Sequence, residues 1–397
     1  MSSSRHALIV GAGIAGPALA LFLKKAGIQS TICELRPEIG DIGGMLSIAP
    51  NGMHVLAALG LAEPATAVGT TIAEMVFRNY RGRVLSRAVF DPRRFGQPTI
   101  ALKRADLHRL LFEAARREGI SFAFGRKLVA IEDRDGAPVR ARFADGSVAE
   151  GDFLIGADGL HSAVRDHVVP DGPTPHFMGL LGIGGFVPRA VLDGTGTDPH
   201  AMTMVWGPGS FFGYGYAAGD AAAGAGWWIN PPRASELSRA ELAAMTPDML
   251  RPELLKLHRG WAPPVETLIA ATTEIIALNI YDVGRLPNWH RGRVALIGDA
   301  AHAVSPNSGQ GASLALEDSL YLARLIRDLD AIEPAFARFE AERRERVEKV
   351  IDYGRRAGND KKVQGAVALW LRDRMIAWLL PFFMNRMGWM YEYRLSW

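Results

Sequence analysis

A glycine-rich turn near the amino terminus constrains the fold of this 397-residue chain more than any other feature. The apolar residues 6–10 predict a strand, and the apolar periodicity of residues 14–25 predicts a helix directly after the turn. Glycines in such a turn let the chain bend, let its amides approach a pyrophosphate, and let the helix pack on the strand. The sequence therefore predicts a dinucleotide site that includes Gly11, Gly13, Ala15 and Gly16.

An acidic residue, Glu34, supports the same prediction. It lies near the end of a second predicted strand, residues 30–35, and follows Gly16 by 18 residues. A carboxylate at this point can accept hydrogen bonds from ribose hydroxyl groups. Because its negative charge would repel a 2′-phosphate, NADP is disfavoured as the nucleotide bound here.

A second strand–turn–helix pattern begins after the apolar residues 153–155. Asp158 or Ser162 can cap the amides at the start of the helix, and Arg165 can reach a phosphate group. The pattern on its own is equally compatible with a capped helix that binds no ligand.

A third pattern of the same kind follows the apolar residues 294–297. Asp299 can hold a ribityl or ribose hydroxyl group, and the helix that begins near Gly311 directs its positive end towards the loop before it. The predicted cofactor-binding residues of this segment are Gly298, Asp299, Pro306, Gly309, Gly311 and Ala312.

The three patterns, in this order and at this spacing, resemble the group A flavoprotein monooxygenases. This para-hydroxybenzoate hydroxylase-like family includes salicylate hydroxylases and tetracycline-inactivating enzymes. The resemblance implies FAD as the bound cofactor, NADH or NADPH as a transient electron donor, and dioxygen as a co-substrate. A second dinucleotide fingerprint is missing, because the glycines of residues 182–185 lie in a β context, so the nicotinamide donor is expected to bind only transiently.

The resemblance also implies roles for single residues. The glycines of the first turn would bind the FAD pyrophosphate, and Glu34 the adenosine ribose. Arg104 matches a family arginine beside the flavin, and Asp158 and Arg165 match a motif implicated in binding both FAD and NAD(P)H. Asp299 would bind the ribityl chain. The isoalloxazine ring would be lined by Pro306, Gly309 and Gly311.

The expected fold class is α/β, with a Rossmann-like FAD-binding domain, an inserted β-sheet-rich substrate domain and C-terminal helices. The FAD-binding domain is predicted over residues 1–72, 100–175 and 283–330. Glycine-punctuated β segments place the substrate-binding domain at residues 73–99 and 176–282. Residues 331–397 form the predicted C-terminal helical region.

No side chain is predicted to be catalytic, because the family carries out its chemistry on the flavin. NAD(P)H reduces the flavin, dioxygen adds at C4a, and the hydroperoxide transfers its distal oxygen to an electron-rich carbon. His302 and His161 are therefore expected to pack or cap and not to transfer protons. The same flavin chemistry supports hydroxylation, epoxidation and Baeyer–Villiger oxidation, and the sequence does not decide between them.

Other activities share this fold. Residues 226–231 have a faint likeness to the Trp-x-Trp-x-Ile motif of flavin-dependent halogenases, but Trp227 and Trp228 are adjacent here, so the spacing fails. A flavin-dependent reductase and a non-catalytic FAD-binding ligand carrier are compatible with the same cofactor motifs.

Aromatic residues of the predicted β segments are candidate substrate contacts. Strand alternation puts Phe212, Tyr214 and Tyr216 on one face and two glycines on the other. Either this aromatic face lines a cavity or it packs in the core of its own domain. Between Arg189 and Arg233 there is no lysine or arginine, which disfavours a carboxylate clamp and favours a neutral polycyclic or phenolic substrate. The full candidate set is Trp206, Phe212, Tyr214, Tyr216 and Trp228.

Charge and cysteine content exclude several classes of protein. The 45 basic and 42 acidic residues are spread along the chain, which argues against a nucleic-acid partner. The lone Cys33 excludes an internal disulfide and a cysteine-based metal site, and we predict no metal site of any kind. We expect a cytoplasmic enzyme without an integral membrane span, a monomer or homodimer, that acts on a small molecule.

The last sixty residues form two segments of different amino-acid composition. Residues 340–362 carry interspersed charges of both signs and predict a solvated helix. Residues 366–397 are rich in Trp, Met and Phe and predict a helix that packs across both domains and closes the substrate cleft. A membrane-surface anchor is the alternative for this segment.

Overall fold

The computed structural model describes residues 5–40, 43–217, 224–304, 308–359 and 365–397. Within these residues the strands are β1 (His6–Val10), β2 (Gln29–Cys33), β3 (Met45–Ile48), β4 (Thr70–Ile72), β5 (Glu74–Asn79), β6 (Val84–Val89), β7 (Thr99–Lys103), β8 (Ser121–Ala123), β9 (Leu128–Glu132), β10 (Val139–Phe143), β11 (Val148–Gly151), β12 (Phe153–Gly156), β13 (His176–Val187), β14 (Ala201–Trp206), β15 (Phe211–Tyr216), β16 (Ala225–Ile229), β17 (Glu274–Asp282), β18 (His290–Arg291) and β19 (Val294–Leu296).

The helices of the same residues are α1 (Ala15–Lys25), α2 (Pro50–Ala58), α3 (Ala62–Val68), α4 (Pro92–Phe95), α5 (Arg104–Arg117), α6 (Ala163–Val168), α7 (Arg239–Ala244), α8 (Pro247–Leu257), α9 (Val265–Ala271), α10 (Asp299–His302), α11 (Gly311–Asp328), α12 (Ile332–Asn359), α13 (Ala366–Arg386) and α14 (Gly388–Tyr391).

A six-stranded sheet with the order β18-β19-β12-β1-β2-β8 forms one half of the molecule. β1 pairs in parallel with β2 and β12, and the pairing continues in parallel to β8 and β19. Apart from His6 at the start of β1, the residues of β1 and β12 are apolar or glycine and buried, as expected for parallel strands covered on both faces. Because parallel strands end at one edge of a sheet, the turns that follow β1, β12 and β19 meet there.

A seven-stranded sheet with the order β17-β13-β16-β15-β14-β5-β6 forms the other half. One of its faces packs in a separate core with α8 and α9, and the opposite face is turned towards the parallel sheet. Its strands lie within residues 74–89 and 176–282. The predicted α/β fold class is confirmed, while the exact domain boundaries stay a prediction.

Two long helices near the carboxyl terminus, α11 and α12, pack against each other. α11 packs on α1, α2 and α12. On α12, Arg343 is fully buried and pairs with Glu317 (2.6 Å) and Asp318 (2.9 Å) of α11. The prediction of a solvated helix over residues 340–362 is therefore wrong for this face of α12. The physical reason is that its partners are acidic residues of the preceding helix α11, which make burial of a cation tolerable.

The helix α13 packs against β6 of the seven-stranded sheet. In the part of the chain that the structure describes, each helix is too short or too polar to cross a membrane.

Candidate functional site

A cavity of about 1470 Å³ runs from the carboxyl edge of the parallel sheet to the inner face of the seven-stranded sheet. Single-ligand pockets usually measure about 300–1,000 Å³. The larger space fits a dinucleotide together with a second molecule. Ten of the predicted cofactor residues line it: Gly11, Gly13, Ala15, Glu34, Arg104, Asp158, Asp299, Gly309, Gly311 and Ala312.

The glycine-rich turn combines close backbone packing on one side with open space on the other. Gly11 has φ +107°, and a Cβ there would lie 2.4 Å from the carbonyl oxygen of Ala157. A Cβ on Gly16 would lie 2.0 Å from the carbonyl oxygen of Gly11, so this glycine allows α1 to pack and does not itself line the cavity. A Cβ on Gly13 would meet no protein atom within 4 Å. The open side of the turn at Gly13 faces the cavity, where a ligand fits.

The carboxylate of Glu34 holds this turn in place. Its Oε2 accepts a hydrogen bond from the amide of Ala12 at 2.7 Å, and its Oε1 accepts one from the amide of Arg36 at 2.9 Å. The imidazole of His108 contacts the carbonyl oxygen of Ala12 through Nε2. Burial lowers the pKa of His108, so the neutral ring is favoured.

His108 also lines the cavity, and the sequence did not single it out. A signal was nevertheless present, because His108 follows Arg104 by one helical turn on α5, so both side chains project from the same face. Arg104 lines the cavity as well, and its stem passes Gly43, where a Cβ would lie 2.8 Å from Arg104 Cδ.

The turn after β12 is organised by Asp158. Its carboxylate accepts hydrogen bonds from the Ser162 hydroxyl (2.5 Å) and the Val164 amide (3.1 Å), and burial raises its pKa. The Ser162 hydroxyl in turn accepts from the amide of Arg165 and caps α6. Asp158 lines the cavity, so it can both cap the helix and face a cofactor.

Arg165 does not reach the cavity, which corrects its predicted placement beside a phosphate. Its side chain is buried and donates to the carbonyl oxygens of Ala300 (3.1 Å) and Leu160. Buried polar groups form hydrogen bonds, so this guanidinium donates to the two carbonyl oxygens beside it. Arg165 therefore connects the turn after β12 to the start of α10 and supports the cavity wall without lining the cavity.

The turn after β19 brings Asp299 to the cavity. Gly298 has φ +58°, and its amide donates to Asp318 at 2.9 Å, so Gly298 shapes the turn without lining the cavity. Asp299 opens α10, and its pKa is raised by burial despite the opposing charges of His302 and Arg104. A buried carboxylate in a cavity is expected to have hydroxyl donors on its ligand.

The segment before α11 completes this end of the cavity. Gly309, Gly311 and Ala312 line it, as do Ser308 and Gln310, which the sequence analysis did not name. α11 runs for 18 residues from Gly311, so its free amides and positive end face the cavity. Pro306 lies outside the described residues.

His302 is a structural residue in this arrangement. Its Nε2 lies 2.6 Å from Oδ2 of the buried Asp318, whose Oδ1 accepts from Arg343. Neither His302 nor Asp318 lines the cavity. The expectation that His302 packs and does not transfer protons agrees with this position.

Replacing Asp299 with alanine is expected to weaken FAD binding by about 10- to 100-fold, because one charge-assisted hydrogen bond to the cofactor is lost. The measurement is the flavin retained per chain after gel filtration, with the Kd from titration of the apoprotein. Asp166→Ala, at an exposed position on α6, is the control and should keep the wild-type flavin content. Full flavin content in Asp299→Ala would contradict the assignment.

At the other end of the cavity the structure separates the candidate substrate residues. Trp206 and Trp228 line the cavity. Phe212, Tyr214 and Tyr216 lie away from it in the separate core of the seven-stranded sheet, which corrects their predicted placement. The face of β15 that meets the cavity is the one with Phe211, Gly213 and Gly215. The three aromatic rings lie on the opposite face, where they pack in one core with α8 and α9.

The helix α13 covers this end of the cavity. Leu371, Met375, Ile376 and Leu380 line it from this side. The buried Arg372 donates to the carbonyl oxygens of Gly207 (3.0 Å) and Trp206 (3.3 Å), which anchors α13 to the end of β14. The position of α13 agrees with the prediction that residues 366–397 form a helix that closes the substrate cleft.

A nucleotide-binding α/β unit whose cavity continues onto the aromatic face of a second sheet matches the structures of FAD-binding flavoprotein hydroxylases. The sequence model described as "FAD binding domain" matches residues 5–200 and 258–353, so the chain belongs to this family. It is an oxidoreductase that uses FAD, takes electrons from NADH or NADPH, uses dioxygen and acts on a small molecule.

Known relatives cover nearly the whole chain. It is 33% identical over 361 residues to an FAD-dependent urate hydroxylase of Klebsiella pneumoniae, with 87% of each chain covered. It is 32% identical over 381 residues to an aurachin C monooxygenase/isomerase of Stigmatella aurantiaca, with 95% of this chain and 94% of that one covered. The structure of Klebsiella pneumoniae HpxO with FAD and uric acid matches with a TM-score of 0.85 at 29% identity, over 98% of this chain and 96% of the other. The resemblance to flavoprotein monooxygenases is thereby confirmed.

Proposed function

We propose that this enzyme hydroxylates a neutral aromatic molecule bound between the seven-stranded sheet and α13. The observation that carries the proposal is the continuity of the cavity, which joins the glycine-rich turn to Trp206 and Trp228. A cofactor and a substrate can therefore lie in contact without leaving the protein.

The residues at the edge of the parallel sheet fit FAD. Gly11 and Gly13 would admit its pyrophosphate, Glu34 its adenosine ribose and Asp299 its ribityl chain. When bound, FAD accepts electrons from NADH or NADPH and uses dioxygen to place one oxygen atom on the substrate, while the other leaves as water. The amides at the start of α11 stabilise negative charge next to them, by about 0.3–1 kcal/mol for each interaction.

The protein's second task is to keep water away from the reacting atoms. Apolar side chains of α13 and of the inner sheet face line the substrate end of the cavity. An apolar enclosure strengthens the electrostatic interactions within it and suppresses side reactions with water. This agrees with a reaction that must pass reactive oxygen to the substrate and not to solvent.

The charges at the substrate end favour a neutral substrate. The guanidinium of Arg372 is already used by two carbonyl oxygens and by Asp373 at 3.0 Å. Arg356 and Arg386 line the cavity but are exposed to solvent. Recognition of a carboxylate usually relies on a bidentate arginine in the site. Both terminal nitrogens of Arg372 already donate to protein oxygens.

We also propose that the enzyme works in the cytoplasm as a monomer or homodimer. Its single cysteine, Cys33, is buried, and burial raises the pKa of the thiol to about 11, which keeps it in the unreactive protonated form.

The proposal predicts that a suitable neutral phenol will stimulate NAD(P)H oxidation by the FAD-loaded enzyme by about tenfold or more, with one oxygen atom from ¹⁸O₂ found in the product. The measurement is absorbance at the nicotinamide band together with mass spectrometry of the product. Product formed under anaerobic conditions by reduced enzyme would favour a reductase. A ligand that binds without stimulating oxidation by either nicotinamide would favour a carrier.

A further inference from the structure

Four aromatic side chains form a continuous row along the cavity wall. The row consists of Phe77, Trp206, Phe211 and Trp228, and all four line the cavity. Their successive ring centroids lie 5.5, 5.6 and 6.1 Å apart. Rings at these distances are in direct contact. Trp206 and Trp228 are the more exposed members of the row, and the buried rings of Phe77 and Phe211 support them.

The length of this aromatic row follows from the sheet. Its members lie on β5, β14, β15 and β16, which are neighbours in the sheet. Adjacent strands are separated by about 4.7–4.9 Å, so the row extends roughly 14 Å across the strands. A single six-membered ring can cover only part of that length.

A glycine makes room for one end of the row. Gly213 pairs with Trp228 across β15 and β16, and a Cβ on Gly213 would lie 2.3 Å from Trp228 Cζ2. The indole ring of Trp228 therefore lies flat over the backbone of β15 at Gly213. It forms part of the cavity wall and does not project into the cavity. This explains why the face of β15 that meets the cavity carries glycine beside the aromatic residues.

The surroundings of the aromatic row are apolar as well. Met75, Met202 and Met204 lie beside it on the same face of the sheet, and the apolar side of α13 also lines this end of the cavity. Methionine side chains adapt to irregular apolar surfaces and make favourable contacts with rings. A gap of this kind is complementary to a flat, elongated, uncharged ligand.

We infer that the substrate is an elongated neutral molecule with at least two, and more readily three, fused or linked rings, and that the aromatic row selects it. This inference rests on the proposed function, because it assigns the substrate class of the same cavity. A one-ring compound could contact one end of the row only. A three-ring compound could contact both ends at once, and its affinity would depend on both.

The test is calorimetric titration of the FAD-loaded protein, without a nicotinamide, using 1-hydroxyanthraquinone, phenol and 4-hydroxybenzoate as probes. The three-ring probe should bind tightest. Trp206→Leu and Trp228→Leu, at two separate points of the row, should each weaken its binding by about tenfold, whereas phenol should be affected by at most one of them. Gly213→Ala, which displaces the Trp228 ring, should resemble Trp228→Leu.

Trp378→Leu is the matched control, because Trp378 is 82% exposed on α13 and does not line the cavity. It should change the affinity by less than about twofold. Equal affinity for one-ring and three-ring probes, no binding of the three-ring probe, or sensitivity to only one of the two tryptophans would overturn the inference. Because the titration involves no turnover, it is separate from the oxidation assay: tight three-ring binding without oxidation would count against the proposed function alone.

Discussion

Replacing Gly13 with valine is expected to weaken FAD binding by at least about 100-fold while the protein remains folded. The Cβ position of Gly13 is free of protein atoms within 4 Å, so the apoprotein tolerates a side chain there. The same space belongs to the cavity and would be needed by the pyrophosphate. Steric overlap of about 1–3 kcal/mol, added to the loss of charge-assisted amide hydrogen bonds of about 1.5–3 kcal/mol, predicts a Kd at least about 100-fold weaker.

The measurement combines titration of the apoprotein with FAD and thermal unfolding of the apoprotein. Gly11→Val provides the contrast, because its Cβ would lie 2.4 Å from the carbonyl oxygen of Ala157 at a φ of +107°. That variant should unfold at a lower temperature even without cofactor. If Gly13→Val retained FAD at wild-type affinity, the pyrophosphate would not lie against this turn.

The contrast between these glycines shows what the sequence could predict. The turn after β1 is determined locally, because its strand, glycines and helix are consecutive in the chain. The same holds for Asp158 and Asp299, each of which directly follows a buried strand. The parallel sheet then brings such residues together, because the carboxyl ends of its strands lie at one edge.

Side chains whose partners are distant in sequence were not predictable in the same way. Arg165 is long enough to reach either a phosphate or nearby carbonyl oxygens. One of the oxygens that it binds, that of Ala300, is 135 residues away in the sequence. His108 approaches Ala12 from a helix almost a hundred residues later. Local patterns carry no information on such pairings.

The substrate face illustrates a different limit. Strand alternation correctly divides β15 into a ring face and a glycine face, but periodicity does not tell which of the two meets the cavity. The decision comes from packing: Phe212 stacks on Trp227 at 5.3 Å in the separate core, while Gly213 accommodates Trp228. Of the candidate residues, Trp206 and Trp228 line the cavity, whereas Phe212, Tyr214 and Tyr216 pack in the core of the seven-stranded sheet.

The buried charges between α11 and α12 lead to the second large effect. Glu317 accepts from Arg346 at 2.7 Å and pairs with Arg343 at 2.6 Å. It also accepts from Asn51 at 2.7 Å, and Asn51 donates to Gln310 at the start of α11. Burial would lower the pKa of Arg343, but Glu317 and Asp318 raise it above its usual value, so the guanidinium stays charged. These contacts connect the fold's stability to the position of the loop that would hold the flavin.

Arg343→Met should therefore destabilise the protein by about 3–5 kcal/mol, because it leaves two buried carboxylates short of a partner. Arg338→Met on the same helix removes an exposed pair with Glu342 and should cost less than about 1 kcal/mol. The measurement is the midpoint of urea unfolding of the apoprotein, followed by circular dichroism, with FAD retention as a second readout. Adding Glu317→Gln to Arg343→Met should recover part of the loss, since it removes one uncompensated charge. Equal midpoints for the Arg343 and Arg338 variants would mean that the buried pairs do not hold α12 to the helix that begins at the cavity.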